Sequence, residues 1–122
     1  MVFKGVSKKF LLTNEQQYNT IGAFWDEMAL KYGLENLQGL GYNWQNDTME
    51  YAIGLKNGVI ANHNVCIELP NCGWRVVSGK TDDLKNIYDG VYKNGALTYE
   101  IEEFFEDGNC FIRYYRTPAR TK

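Results

Sequence analysis

The sequence predicts an α+β fold: two βαββ repeats related by a pseudo-twofold axis, forming an antiparallel sheet with two helices on one face. Three observations carry this. Two stretches place apolar residues at helical spacing; each is preceded by a strand-like run and followed by two period-two runs; and the second group repeats the order of the first.

Residues 2–12 read as a strand leading into Thr13-Asn14, an expected helix N-cap with Glu and Gln in the first turn. Ile21, Phe24, Trp25, Met28 and Tyr32 then fall on one helical face, and Gly33 stands where a left-handed C-terminal cap is expected. Two alternating runs follow, Leu40, Tyr42, Trp44 and Met49, Tyr51, Ile53, Leu55, separated by Gln45-Asn46-Asp47. They predict a hairpin with a polar turn.

The second half repeats this order. Residues 73–79 read as a strand, and Thr81-Asp82-Asp83 as a cap with acidic residues against the helix dipole. Leu84, Ile87, Tyr88 and Val91 form a helical face ending near Gly95, before a hairpin that turns at Glu106-Asp107-Gly108. Overlaying the halves aligns Trp25 with Tyr88 and Trp44 with Phe105. The expected layout is a single domain over 1–122, with one unit at about 1–56, a loop connector at 57–72 and a second unit at about 73–118.

Composition narrows the function classes. A chain of 122 residues with 44% hydrophobic and 23% charged residues can build one core. A formal charge of -2 offers no global attraction for nucleic acid or an anionic membrane, so neither is expected as a partner. No apolar run approaches the roughly 20 residues of a membrane helix, and no signal-peptide pattern follows Met1; the expectation is a cytoplasmic protein. Cys66, Cys72 and Cys110 form no C-x-x-C pair, and the single His63 completes no zinc site, so no metal or cofactor is expected. Arg113, Arg116, Arg120 and Lys122 make a basic C-terminal stretch that reads as a solubilising tail. No phosphate loop, dinucleotide fingerprint or nucleophile elbow is present.

The distinctive feature is aromatic, with nine Tyr, six Phe and three Trp. Phe24, Trp25, Tyr88 and Tyr92 sit at helical core spacing. Tyr42, Trp44, Tyr51, Trp74 and Tyr114 lie on strands, where a buried polar tip needs a partner or water. Over residues 97–105 alternation puts Leu97, Tyr99, Ile101, Glu103 and Phe105 on one side, with Glu100 and Glu102 on the solvated side. Glu103 is thus a carboxylate in an apolar row. It reads either as part of an acidic strand end or as the anion of an aromatic cavity that takes an organic cation.

Ile21 to Met28, Gly41-Tyr42-Asn43-Trp44 and Glu50 to Gly54, with an aromatic strand from Trp74, a helix carrying Ile87-Tyr88 and a Glu-x-aromatic strand, resemble the GyrI-like family over nearly the whole chain. This is the effector-binding domain of AraC-type and MerR-type drug-responsive regulators, also found alone. The resemblance implies two βαββ repeats and a cavity for hydrophobic, cationic aromatic compounds, with a key Glu on the late strand. Glu102-x-Phe104 and Glu103-x-Phe105 both match; alternation favours Glu103. Together with the aromatic residues read above, the expected ligand-binding set is Glu103, Glu102, Tyr42, Trp44, Tyr51, Trp74, Tyr88, Phe105 and Tyr114. The loop before the second helix is clipped and the last strand ends in Tyr115-Arg116-Thr117-Pro118, departures that leave ligand size open. With no room for a helix-turn-helix, the expected function is a stand-alone small-molecule-binding module. The resemblance offers two alternatives: a hydrolase of strained cyclopropane-containing toxins, with a carboxylate as general base, or a protein-binding inhibitor of DNA gyrase type. A protein partner or a homodimer is the accompanying expectation.

Overall fold

The chain, in a computed structural model that describes residues 1–93, 95 and 97–117, is an α+β fold with one antiparallel sheet and two helices. Strand β1 (Val2–Leu11) leads to helix α1 (Gln17–Tyr32), then β2 (Leu37–Gln45) and β3 (Thr48–Leu55). After β4 (Val65–Glu68) come β5 (Arg75–Lys80), helix α2 (Leu84–Tyr92), β6 (Tyr99–Phe104) and β7 (Asn109–Tyr115). The seven strands run in the order β4-β1-β3-β2-β6-β7-β5, and every pairing is antiparallel.

Turn chemistry places both hairpins where the sequence puts them. The first closes across Gln45 and Thr48, with Asn46 at φ 50°, and the second turns at Gly108 with φ 85°. These positive angles suit Asn and Gly, which carry little steric penalty there. Gly33 ends α1 at φ 87°, its N–H donating to the Ala29 carbonyl at 2.8 Å. The helix starts are corrected. Thr13–Glu15 and Thr81–Asp83 each form a separate 3-10 turn, and neither helix has a side-chain cap. The α2 apolar face ends at Tyr92, and Gly95, at φ 109°, returns its N–H to the Tyr92 carbonyl at 3.0 Å.

The connector is also corrected, because it contains β4. Lys4, paired with Cys66, and Phe3, paired with Ile67, extend the sheet by one strand, satisfying backbone groups that a loop would leave to water. Beyond Leu69 the chain covers the sheet face away from the helices. Leu69 joins Phe3, Leu40, Ala52 and Ile101 in a buried cluster bordered by Tyr42, Trp74 and Tyr99. The larger core lies on the helix side, where Phe24, Trp25 and Met28 of α1 and Tyr88 and Val91 of α2 meet Tyr51, Ile53 and Ile112. Each such fully buried side chain is worth roughly 1.5–3 kcal/mol of transfer free energy. The sheet is therefore covered on both faces, and that decides where the site residues point. No helix among the described residues is long and apolar enough to cross a membrane. Arg120 and Lys122 of the basic tail lie outside the described residues, as does Pro118.

Candidate functional site

Between the two helices and the sheet lies a cavity of about 510 Å³, inside the range of roughly 300–1,000 Å³ usual for small-molecule sites. Tyr18, Ile21 and Trp25 of α1 form one wall, and Leu84, Tyr88 and Tyr92 of α2 form the other. The sheet contributes Tyr51, Glu100, Glu102 and Phe104, with Trp44 and Met49 at one end. The Trp25 indole meets Phe104 edge-on at 4.8 Å, and Tyr88 stacks on Tyr92 at 5.6 Å, so the walls are packed aromatic pairs.

Two glycines make room for the polar floor. On β2, Gly39 and Gly41 pair with Glu102 and Glu100 of β6. A Cβ on Gly39 would fall 2.0 Å from the Tyr51 hydroxyl, and one on Gly41 would fall 2.7 Å from Glu100 Oε1. Bare backbone is what lets buried oxygen atoms sit against this strand.

Those oxygens form a chain. The Trp25 Nε1–H donates to the Tyr51 hydroxyl at 2.8 Å, and Tyr51 in turn donates to Glu102 Oε1. Tyr88 donates to Glu102 Oε2, and Tyr92 donates to Glu100 Oε2 at 3.1 Å. Glu100 and Glu102 are each only 4% exposed. Among the described residues, neither forms a salt bridge. Burial pushes both carboxyls up, Glu100 well above the ordinary range, with the charge of Glu102 adding to the effect; hydroxyl donors pull the other way. The same burial, followed by neighbouring acidic charge, pushes the Tyr18 phenol up to about 12. Gln17 Oε1, also at the cavity, is buried without a partner among the described residues.

The sequence-derived set divides between the faces. Glu102, Tyr51, Tyr88 and Trp44 line the cavity. Tyr114 stands opposite Glu100 on β7 and packs against the helix-side core beside the cavity. Glu103 is corrected: it faces the other way, paired with Lys56 at 3.0 Å, and the Lys56 ammonium lies over Phe105 at 4.9 Å. Phe105 therefore belongs to that ion pair's surroundings and not to the cavity. Trp74 and Tyr42 lie on the far face as well, Trp74 against Tyr99 and Tyr115, and Tyr42 hydrogen-bonded to Ser7 at 2.6 Å. Tyr42 and Trp44 part company because Asn43, at φ 55°, begins a bulge in which two β2 residues oppose Met49 alone.

Alternation assigned both Glu100 and Glu102 to solvent, and Glu100 is a cavity residue missing from the sequence-derived set. The apolar row Tyr99-Ile101 faces the second cluster, so its acidic neighbours are the inner ones. The signal was present in Gly39 and Gly41: paired glycines opposite two glutamates leave space for carboxylates. Comparison with protein-family models, with curated proteins and with solved structures finds no match.

Proposed function

We propose that this chain is a small-molecule-binding protein whose cavity takes a hydrophobic organic cation, with Glu102 as counter-ion and Tyr51, Tyr88 and Trp25 orienting it. One observation carries the reading: two buried carboxylates stand at the floor of an aromatic cavity with no basic partner among the described residues. Burying an unpaired carboxylate costs several kcal/mol, so such a pair is a standing demand for positive charge. Aromatic ring faces add attraction for the same charge, and about 510 Å³ accommodates a multi-ring ligand. Gln17 Oε1 offers one further acceptor to a ligand N–H.

The GyrI-like resemblance belongs to this proposal, as does the pseudo-twofold repeat. In its favour, β1 pairs with β3 and β3 with β2, while β5 pairs with β7 and β7 with β6, the two groups meeting at β2 and β6. A cytoplasmic location is part of the same reading and suits three cysteines that form no disulfide.

Tetraphenylphosphonium and tetraphenylborate share a shape and differ in sign. Titrating each against the fluorescence of Trp25 and Trp44 should give saturable quenching with the cation and none with the anion. Glu102→Gln should weaken the cation at least tenfold. Equal binding of both ions would refute the charge argument.

A further inference from the structure

Glu100 and Glu102 differ in how their oxygens are satisfied. Glu102 is built to be an anion, with Tyr51 donating to Oε1 and Tyr88 to Oε2. Glu100 receives the Tyr92 hydroxyl at 3.1 Å, and its Oε1 lies against Gly41. A phenol has one proton, and Tyr88 gives it to Glu102. Glu100 is left with one hydroxyl donor against the two that Glu102 receives, so of the two carboxyls Glu100 is the one that carries a proton at the smaller cost.

We propose that the cavity exchanges a proton for its cation: in the ligand-free protein Glu100 holds a proton, and the arriving organic cation displaces it to solvent. The inference rests on the cation-binding reading of this cavity and adds its regulation by pH. Charge balances: one positive charge enters, one proton leaves through the cavity mouth, and the pair passes from one net negative charge to two, facing one bound cation.

The groups around Glu100 support this assignment. Tyr88 and Tyr92 face it from α2, Tyr18 from α1, Tyr51 from β3, Glu102 from its own strand and Tyr114 from β7, with Asp26 at the cavity rim. None is a base. The Arg116 guanidinium donates instead to the Val91 carbonyl at the end of α2. Two like charges on one face of a strand, both buried, do not both ionise without a compensating cation. Burial and the charge of Glu102 both raise the Glu100 carboxyl, as such a proton-holding role requires.

Isothermal titration of tetraphenylphosphonium into the full chain, in buffers of different ionisation heat between about pH 5.5 and 8, reads the proton directly because this cation has none to lose. The expected result is release approaching one proton per cation at its maximum, with affinity rising up to about tenfold per pH unit on the acid side. In Glu100→Gln, which holds a neutral side chain of the same shape, both the release and the pH slope should vanish while a weaker, pH-independent binding through Glu102 persists. Wild-type binding without proton release, or release undiminished in Glu100→Gln, overturns the inference and leaves the cation-binding reading standing. No binding at any pH overturns that reading and the inference with it. An infrared difference spectrum of the wild type needs no variant: the carbonyl band of a buried protonated carboxyl should disappear as the cation binds. Its absence before binding also overturns the proposal.

Discussion

Replacing Gly39 with alanine tests the floor of the cavity with one methyl group. The new Cβ would lie 2.0 Å from the Tyr51 hydroxyl oxygen and 2.9 Å from Trp25 Cζ2. Tyr51 is fully buried, so its ring cannot swing out to solvent. Overpacking of this kind costs about 1–3 kcal/mol. Driving the hydroxyl off Glu102 removes a charge-assisted bond from a buried carboxylate, worth about 1.5–3 kcal/mol. Against this, alanine reduces the freedom of the unfolded chain by about 0.5–1 kcal/mol. The net loss is about 2–5 kcal/mol, and at a urea slope of about 2 kcal/mol/M the midpoint falls by about 1–2.5 M. Gly22→Ala is the matched control. A Cβ there meets nothing within 4 Å on a helix, so the midpoint should rise, by about 0.3–0.5 M. A Gly39→Ala protein that unfolds at or above the wild-type midpoint with an unchanged slope would refute the argument.

Three other outcomes are expected. Lys56→Ala should cost about 1 kcal/mol, because the ion pair is partly exposed, and should leave tetraphenylphosphonium affinity unchanged; a large loss of affinity would mean that Glu103 reaches the cavity after all. Folding raises the Glu100 carboxyl above its ordinary value of 4.5, so its contribution is most favourable below that pH and is lost as pH rises towards the raised value. The unfolding free energy of wild type minus that of Glu100→Gln should therefore fall between pH 4.5 and neutrality, and urea unfolding at several pH values would expose a flat or rising difference. Cys66 and Cys72 are exposed while Cys110 is 2% exposed with its thiol pushed up by burial. A disulfide reagent should thus label the first two in the native protein and the third only on unfolding.

Local chemistry made much of the fold legible. The helical spacing from Ile21 to Tyr32 and from Leu84 to Val91 is visible without any partner, and Asn46 and Gly108 mark their turns because few residues tolerate a positive φ. The missed elements are those that need a partner. Strand β4 is too short to show alternation and exists because β1 offers it an edge. The N-terminal cap read at Thr13-Asn14 became a 3-10 turn whose Asn14 is held at φ 56°.

For the site, the sequence by itself determined which residues travel together: Glu100 with Glu102 and Phe104, and Glu103 with Ile101 and Tyr99. It determined the aromatic supply and the excess of acid on the late strand. Only the tertiary structure decided which of those two groups meets the helices. A strand's alternation separates its faces but labels neither as inside, and here both faces are covered, one by the helices and one by the segment after β4. The choice came from pairing, with Gly39 and Gly41 set opposite Glu102 and Glu100, and from one bulge at Asn43 that sends Tyr42 and Trp44 to opposite sides. Both are contacts between segments distant in sequence or departures from regular period, and neither leaves a mark on the periodicity of a single strand.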